Sequence, residues 1–253
     1  MTALRAKPFH HTLLLAAVSI AVFLFLINNE GIWSFILLHY HFEGLLFIDW
    51  NAITAASDAY ADGHAVHQSI PYDTFFRPHV YSGLWLYLDL LGINRFNGYI
   101  IAFALVILFI VATAILIRPS KPWQLLLGLL VTLSPPFLLG MERANNDLVI
   151  FLIIALIPLA YARLRSGGMV LSAILIAIAT VLKYYPIVIF PVIFALYGVN
   201  YKTTVTVALC AGAALVQIAL AGELFGSLQA SLPHPNWYYS FGGINVFKNF
   251  FFE

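Results

Sequence analysis

Long apolar runs alternate with short polar breaks along this chain, and their lengths predict membrane-crossing helices. Crossing some 30 Å of hydrocarbon takes about 20 mostly apolar residues at about 1.5 Å each. Such runs lie at 12–27, 97–117, 123–139, 148–162, 169–182, 184–199 and 203–221. The stretch 169–199 could also be one helix, but it would be about 46 Å long with Lys183 near its middle. A lysine at the bilayer centre costs about 2.5–3.5 kcal/mol even on the mildest scale. Two shorter spans place Lys183 at a hairpin and Pro186 in a first helical turn, where a missing N–H does no harm. Residues 80–91 are too few to cross, carry Asp89 and follow Arg77-Pro78-His79, so they predict a helix lying at the interface. Seven spans are expected.

Charge supports that count. With a cytoplasmic N-terminus, the cytoplasmic loops hold Arg5, Lys7, Arg118, Lys121, Arg163, Arg165 and Lys202 and no acidic residue. All 11 acidic residues, from Glu30 to Glu253, then fall on the far side. Short cytoplasmic loops are rich in Lys and Arg; letting 80–91 cross would put Arg163 and Arg165 outside. The expectation is one membrane domain over 1–253 in a plasma or inner membrane. It has a first span at 11–28, an outer loop with interfacial helices at 29–96, six spans over 97–221 and an outer aromatic tail at 222–253.

Composition narrows the alternatives. Of 253 residues, 62% are hydrophobic and 9% charged, whereas a soluble surface takes roughly 25% charged residues. A net charge of +1 points to no nucleic-acid partner. Cys210 is the single cysteine and excludes an internal disulfide. No small-residue cleavage site follows the first apolar run, which therefore reads as a retained span. There is no phosphate-binding glycine loop, H-E-x-x-H or C-x-x-C. His10-His11 and His39-x-His41 lack a nearby carboxylate set and read as interfacial histidines, so no metal is expected. In the first outer loop, 52–61 reads as a small helix ended by Gly63.

Several outer segments carry a family likeness. Asp49-Trp50, then 55–63, then 72–78 are similar to an acidic-aromatic opening, a helix with Gly, and a Tyr-x-x-Tyr-Pro-Pro stretch. Glu142-Arg143-Ala144-Asn145-Asn146-Asp147 resembles a Gly-Gln-x-Asn turn. The run 167–191, with Lys183-Tyr184-Tyr185-Pro186 inside it, resembles a Gly-then-Lys-x-x-Pro helix pair. Together they resemble the type-C glycosyltransferases, and among these the polyprenyl-phosphate-mannose-dependent mannosyltransferases. Trp50 stands where Phe or Tyr is usual, and His79 where a second Pro is common.

The resemblance implies an all-α fold of the GT-C type and inverting transfer of a sugar, mannose first, from a polyprenyl-phosphate donor on the outer face. No further cofactor is implied; the lipid-linked sugar is substrate, and membrane lipids are the other partner. Such chemistry needs a base for the acceptor hydroxyl and cations for the developing phosphate charge. Asp49, leaving the apolar stretch 44–48, becomes the expected base; the alternative is a cap on the helix near Ala52. Arg143, Lys183, Arg77 and His79 become expected phosphate contacts, or snorkelling cations with no specific ligand. Asn145, Asp147 and His234 become expected sugar or acceptor contacts, with Asn145 and Asp147 alternatively capping the helix from Leu148. Relatives of this type have ten or more spans, so the expectation is a truncated homologue, a minimal one, or one part of a split protein whose partner is a second chain supplying C-terminal helices. The alternative function is a non-catalytic subunit of a larger membrane complex derived from such a fold.

Single cysteines placed between Asp58 and Tyr72, or at Ala144–Asn146, in a Cys210→Ser background should react with impermeant reagents from outside. Reaction of cysteines at Ser120 or Ser166 from that side would contradict seven spans.

Overall fold

A computed structural model describes residues 9–37 and 45–220. Among these residues the chain is all helix and turn. The elements are α1 (His10–Ile27), α2 (Glu30–Leu37), α3 (Ile48–Ala61), a 3-10 helix (Gly83–Leu91), α4 (Gly98–Ile117), α5 (Pro122–Thr132) and α6 (Pro135–Arg143). Then follow α7 (Asp147–Ala155), α8 (Ile157–Lys183), a second 3-10 helix (Tyr185–Ile189), α9 (Phe190–Tyr197) and α10 (Tyr201–Leu220). His39, His41 and His234 and the 222–253 tail lie outside the described residues.

Four helices are long and apolar enough to cross a membrane: His10–Ile27, Gly98–Ile117, Asp147–Leu164 and Tyr201–Ala219. The run expected at 123–139 is not straight. It breaks into α5 and α6, which meet at 54° and together have the length of a fifth crossing. The cause is Pro135-Pro136: a residue before proline is pushed out of the helical region, and Ser134 is extended at φ −70° and ψ 148°. Gly167–Lys183 and Tyr185–Tyr197 are shorter apolar helices. The chain breaks between them at Tyr184 (φ 58°), with Pro186 in the first turn that follows, so 169–199 is not one helix.

Helical structure from Asp147 to Lys183 folds back on itself near 165–166, between Asp147–Leu164 and Gly167–Lys183. Were it straight, its ends would lie about 54 Å apart; instead Lys183 Nζ sits 2.7 Å from Asp147 Oδ1. Gly168 permits the reversal, because a Cβ there would strike the Ala160 carbonyl and the Tyr197 hydroxyl. Ile157, Ala173, Ile176, Phe190 and Ile193 fill the space between this hairpin and α9.

A second core lies where α1 ends and α4 begins. Phe23, Trp33, Phe47, Trp50, Trp85 and Met141 are buried there. The Trp85 indole donates to the Leu182 carbonyl at 3.1 Å, tying the first 3-10 helix to the end of α8. That 3-10 helix packs along α3 while Leu90 and Leu91 stay exposed. The ends facing away from this core carry Arg118, Lys121, Arg163 and Lys202.

Overpacking a tight site costs about 1–3 kcal/mol. Gly168→Ala should therefore lower resistance to denaturant by that order. Gly167→Ala, with nothing within 4 Å, should be neutral or slightly stabilising. Equal stability of the two variants would show that the hairpin does not depend on that close approach.

Candidate functional site

Asp49 begins the site. Helix α3 starts at Ile48 rather than near Ala52, because Phe47 adopts a left-handed conformation (φ 63°) and donates its N–H to the Glu142 carbonyl at 2.8 Å. Asp49 thus lies inside the first helical turn, where the helix dipole favours an anion. The residue before the helix is Phe47, so Asp49 stands inside α3 and not at its cap position. Its side chain is only 9% exposed.

Three segments supply its partners. Asn145 Nδ2 donates to Oδ2 at 2.9 Å, and Arg143 Nε stands 3.5 Å from the same oxygen. Arg77 Nη1 reaches Oδ1 at 3.4 Å. Arg143 closes α6 and is followed by Ala144 in a left-handed turn, φ 43°. Asn145 N–H then donates to the Gly140 carbonyl at 3.1 Å, a helix-ending pattern that swings the Asn145 amide toward α3.

Arg77 is held from behind. Its Nε and Nη2 donate to the two oxygens of Asp73 at 2.9 Å each, and Nη2 also donates to the Ile48 carbonyl at 2.9 Å. Burial works against both charges. Their mutual hydrogen bonds prevail, so the Asp73 carboxyl stays below its ordinary value and Arg77 above. A planar guanidinium on a carboxylate in this two-point geometry is among the stronger side-chain contacts.

Lys183 completes the cluster from the hairpin. Its ammonium donates to Asn145 Oδ1 (3.1 Å) and Asn146 Oδ1 (2.8 Å) and pairs with Asp147 Oδ1 at 2.7 Å. The Tyr185 hydroxyl donates to that same Asp147 oxygen at 2.7 Å. Asn145 Oδ1 also accepts the Asp147 N–H at 3.0 Å, so this amide braces the turn that enters α7 and bridges Asp49 to Lys183 at once. Tyr81 packs its ring 5.6 Å from the ammonium, and burial, then the nearby Asp49 charge, raises its hydroxyl pKa.

Of the residues expected from sequence, Asp49, Arg77, Arg143, Asn145, Asp147 and Lys183 form one connected network. His79 does not join it. Its ring is buried and Nε2–H donates to the Ser82 carbonyl at 3.3 Å. Burial pushes its pKa down to about 4, so at neutral pH it offers a phosphate no charge. The network also contains Asp73, Asn146, Tyr81 and Tyr185. Asp73 had a sequence signal, an Asp four residues before Arg77 between two prolines; Tyr81 and Tyr185 had none beyond their nearness to His79 and Lys183.

A groove of about 790 Å³ opens beside the network. Phe109, Phe137, Leu148, Phe151 and Ile154 form apolar walls, and Arg143, Asn145, Asp147, Lys183 and Tyr185 form its polar end. Such a shape fits an amphiphile, with a chain along the aromatic wall and an anionic head at the cations. No family model, curated protein or solved structure matches the chain.

The buried His79 makes stability depend on pH. Its pKa lies near 4 when folded against an ordinary 6.5, so between those values the unfolded chain binds more protons. Stability should fall as pH drops through this window, by at most about 1.4 kcal/mol per unit. His79→Gln should flatten that slope in denaturant titrations; an unchanged slope would show that His79 is not the group responsible.

Proposed function

We propose that the chain is an integral-membrane glycosyltransferase. It moves a sugar, mannose by the family resemblance, from a polyprenyl-phosphate donor to an acceptor hydroxyl, with inversion. The observation that carries this reading is the groove of about 790 Å³ whose aromatic wall ends at Arg143 and Lys183, next to buried Asp49. Its size falls among ligand sites of roughly 300–1,000 Å³. The isoprenoid lies along Phe109, Phe137 and Phe151, and the phosphate meets the two cations.

Asp49 acts as general base. It takes the proton from the acceptor hydroxyl as that oxygen attacks the anomeric carbon. The bond from that carbon to the phosphate oxygen breaks on the opposite face, and polyprenyl phosphate leaves. Arg143 and Lys183 neutralise the charge that develops on it. Arg77 orients the carboxylate, and Asn145 holds Asp49 and Lys183 in register.

Seven crossings of a GT-C-like fold suit this chemistry. The bent α5–α6 pair is one crossing, and Gly167–Lys183 and Tyr185–Tyr197 are two short ones. Arg118, Lys121, Arg163 and Lys202 sit at the opposite helix ends from Asp49, and positive residues favour the cytoplasmic side. The N-terminus is then cytoplasmic and the Asp49 cluster lies at the outer face.

A second reading is a non-catalytic subunit of a larger membrane complex. It is favoured by the charge balance of the cluster: Asp49, Asp73 and Asp147 are matched by Arg77, Arg143 and Lys183, as in a purely structural network.

Purified chain in nanodiscs with polyprenyl-phosphate mannose separates the two. Asp49→Asn should lower transfer by about 10²–10⁴ while folding and donor binding persist. Lys183→Gln should weaken donor binding, and Lys183→Arg should be tolerated in part. No transfer by the wild type, or near-normal turnover by Asp49→Asn, would favour the subunit reading.

A further inference from the structure

Lys183 has no donor to spare. An ammonium carries three N–H donors, and each has a partner here: Asn145 Oδ1 at 3.1 Å, Asn146 Oδ1 at 2.8 Å and Asp147 Oδ1 at 2.7 Å. A phosphate arriving along the groove can meet Lys183 only by taking one of these places. The three are not equally easy to take. Asn146 is fully buried. Asn145 commits its amide nitrogen to Asp49 at 2.9 Å and its oxygen to the Asp147 N–H at 3.0 Å, so moving it would undo the network. Asp147 is the exchangeable partner. Its side chain is 48% exposed, against 20% for Lys183, and it lines the polar end of the groove.

Asp147 can also give up the ammonium without becoming a stranded charge. It is the first residue of α7, where the helix dipole favours a carboxylate. The Tyr185 hydroxyl, itself part of the groove lining, still donates to its Oδ1 at 2.7 Å.

We infer that Asp147 is a built-in competitor for the phosphate site: it occupies Lys183 in the ligand-free protein and yields it when a lipid phosphate enters the groove. The inference rests on the lipid-phosphate part of the transferase reading and needs no sugar transfer. One phosphate oxygen replaces Asp147 Oδ1 on the ammonium while both asparagine contacts persist. Exchanging one anion for another on the same cation gains little by itself. The gain comes from the apolar chain laid along Phe109, Phe137 and Phe151. Inorganic phosphate lacks that chain, so Asp147 keeps it out. The displaced carboxylate stays beside the phosphate and repels each charge on it. A phosphodiester carries one charge and a monoester at neutral pH nearly two, so the diester is favoured. In the transferase reading the diester is the lipid-linked sugar and the monoester is the spent carrier, and Asp147 then promotes release of product.

The test is equilibrium dialysis of the full chain in nanodiscs, corrected with empty nanodiscs, against labelled geranyl phosphate, its methyl diester and inorganic phosphate. Wild type should bind the diester more tightly than the monoester, and inorganic phosphate far more weakly than either. Asp147→Asn keeps the side chain's shape and removes its charge. It should tighten monoester binding by about fivefold and diester binding by about twofold, the scale of one partly exposed ion pair. Asp147→Ser should act in the same direction. In a Lys183→Gln background most of that gain should vanish, because no ammonium is left to compete for. Unchanged or weaker binding in both Asp147 variants, or no saturable binding of either lipid, would overturn the inference. So would tight binding of inorganic phosphate by wild type, or a gain that persists undiminished with Lys183→Gln. If the Asp147 variants bind more tightly yet wild type transfers no sugar, the competition stands and the transferase reading falls. Transfer by wild type, with affinities untouched by the Asp147 variants, is the reverse.

Discussion

A carboxylate buried as deeply as Asp49 is unfavourable unless hydrogen bonds and opposite charge are buried with it. That requirement draws together segments far apart in sequence. Arg77 arrives from the loop after α3, Arg143 and Asn145 from the end of α6, and Lys183 joins through Asn145 from the far end of a helical hairpin. Removing any one of them leaves another charge short of a partner. The cluster accordingly couples the loop region to the apolar helices, and it explains why acidic and basic side chains gather together at one end of the helices.

The hairpin is the second half of the same constraint. A lysine following fourteen apolar or small residues must end where its ammonium finds water or anions. The reversal beside Gly168 and the break at Tyr184 bring it to Asp147 and Asn146. Trp85, by donating to the Leu182 carbonyl, fixes that helix end to the loop helices and so fixes the ammonium relative to Asp49. The aromatic core under the loop is therefore part of the site's geometry. The same arrangement leaves an apolar groove beside the cluster, with Arg143, Asn145, Asp147, Lys183 and Tyr185 at its polar end.

Much of this was legible in the residues. Charge cost alone placed Lys183 at a break, and the Arg143-Ala144-Asn145-Asn146-Asp147 run stood out as the polar interruption between apolar helices. What local pattern could not supply were the contacts made at long range. Helix α3 starts four residues earlier than its own sequence suggests, because the Phe47 N–H finds the Glu142 carbonyl almost a hundred residues away. His79 was an expected phosphate contact beside Arg77; it is instead buried, with its ring against His67 and Tyr81, which no periodicity announces. Asp73 was overlooked because a single acid in a polar loop has many uses, and only the folded loop shows it gripping Arg77. The Pro135-Pro136 pair did signal a break, but hydropathy summed over 123–139 passed smoothly across it.

The central proposal is that Asp49 works beside a groove that holds a lipid phosphate at Arg143 and Lys183. A density map of the chain in nanodiscs with polyprenyl phosphate addresses it most directly. The account predicts an isoprenoid tail lying along Phe109, Phe137 and Phe151, with its phosphate within hydrogen-bond distance of Arg143 and Lys183. A lipid bound elsewhere while this groove stays clear, with its phosphate at the Arg118 and Arg163 end of the helices, would contradict it.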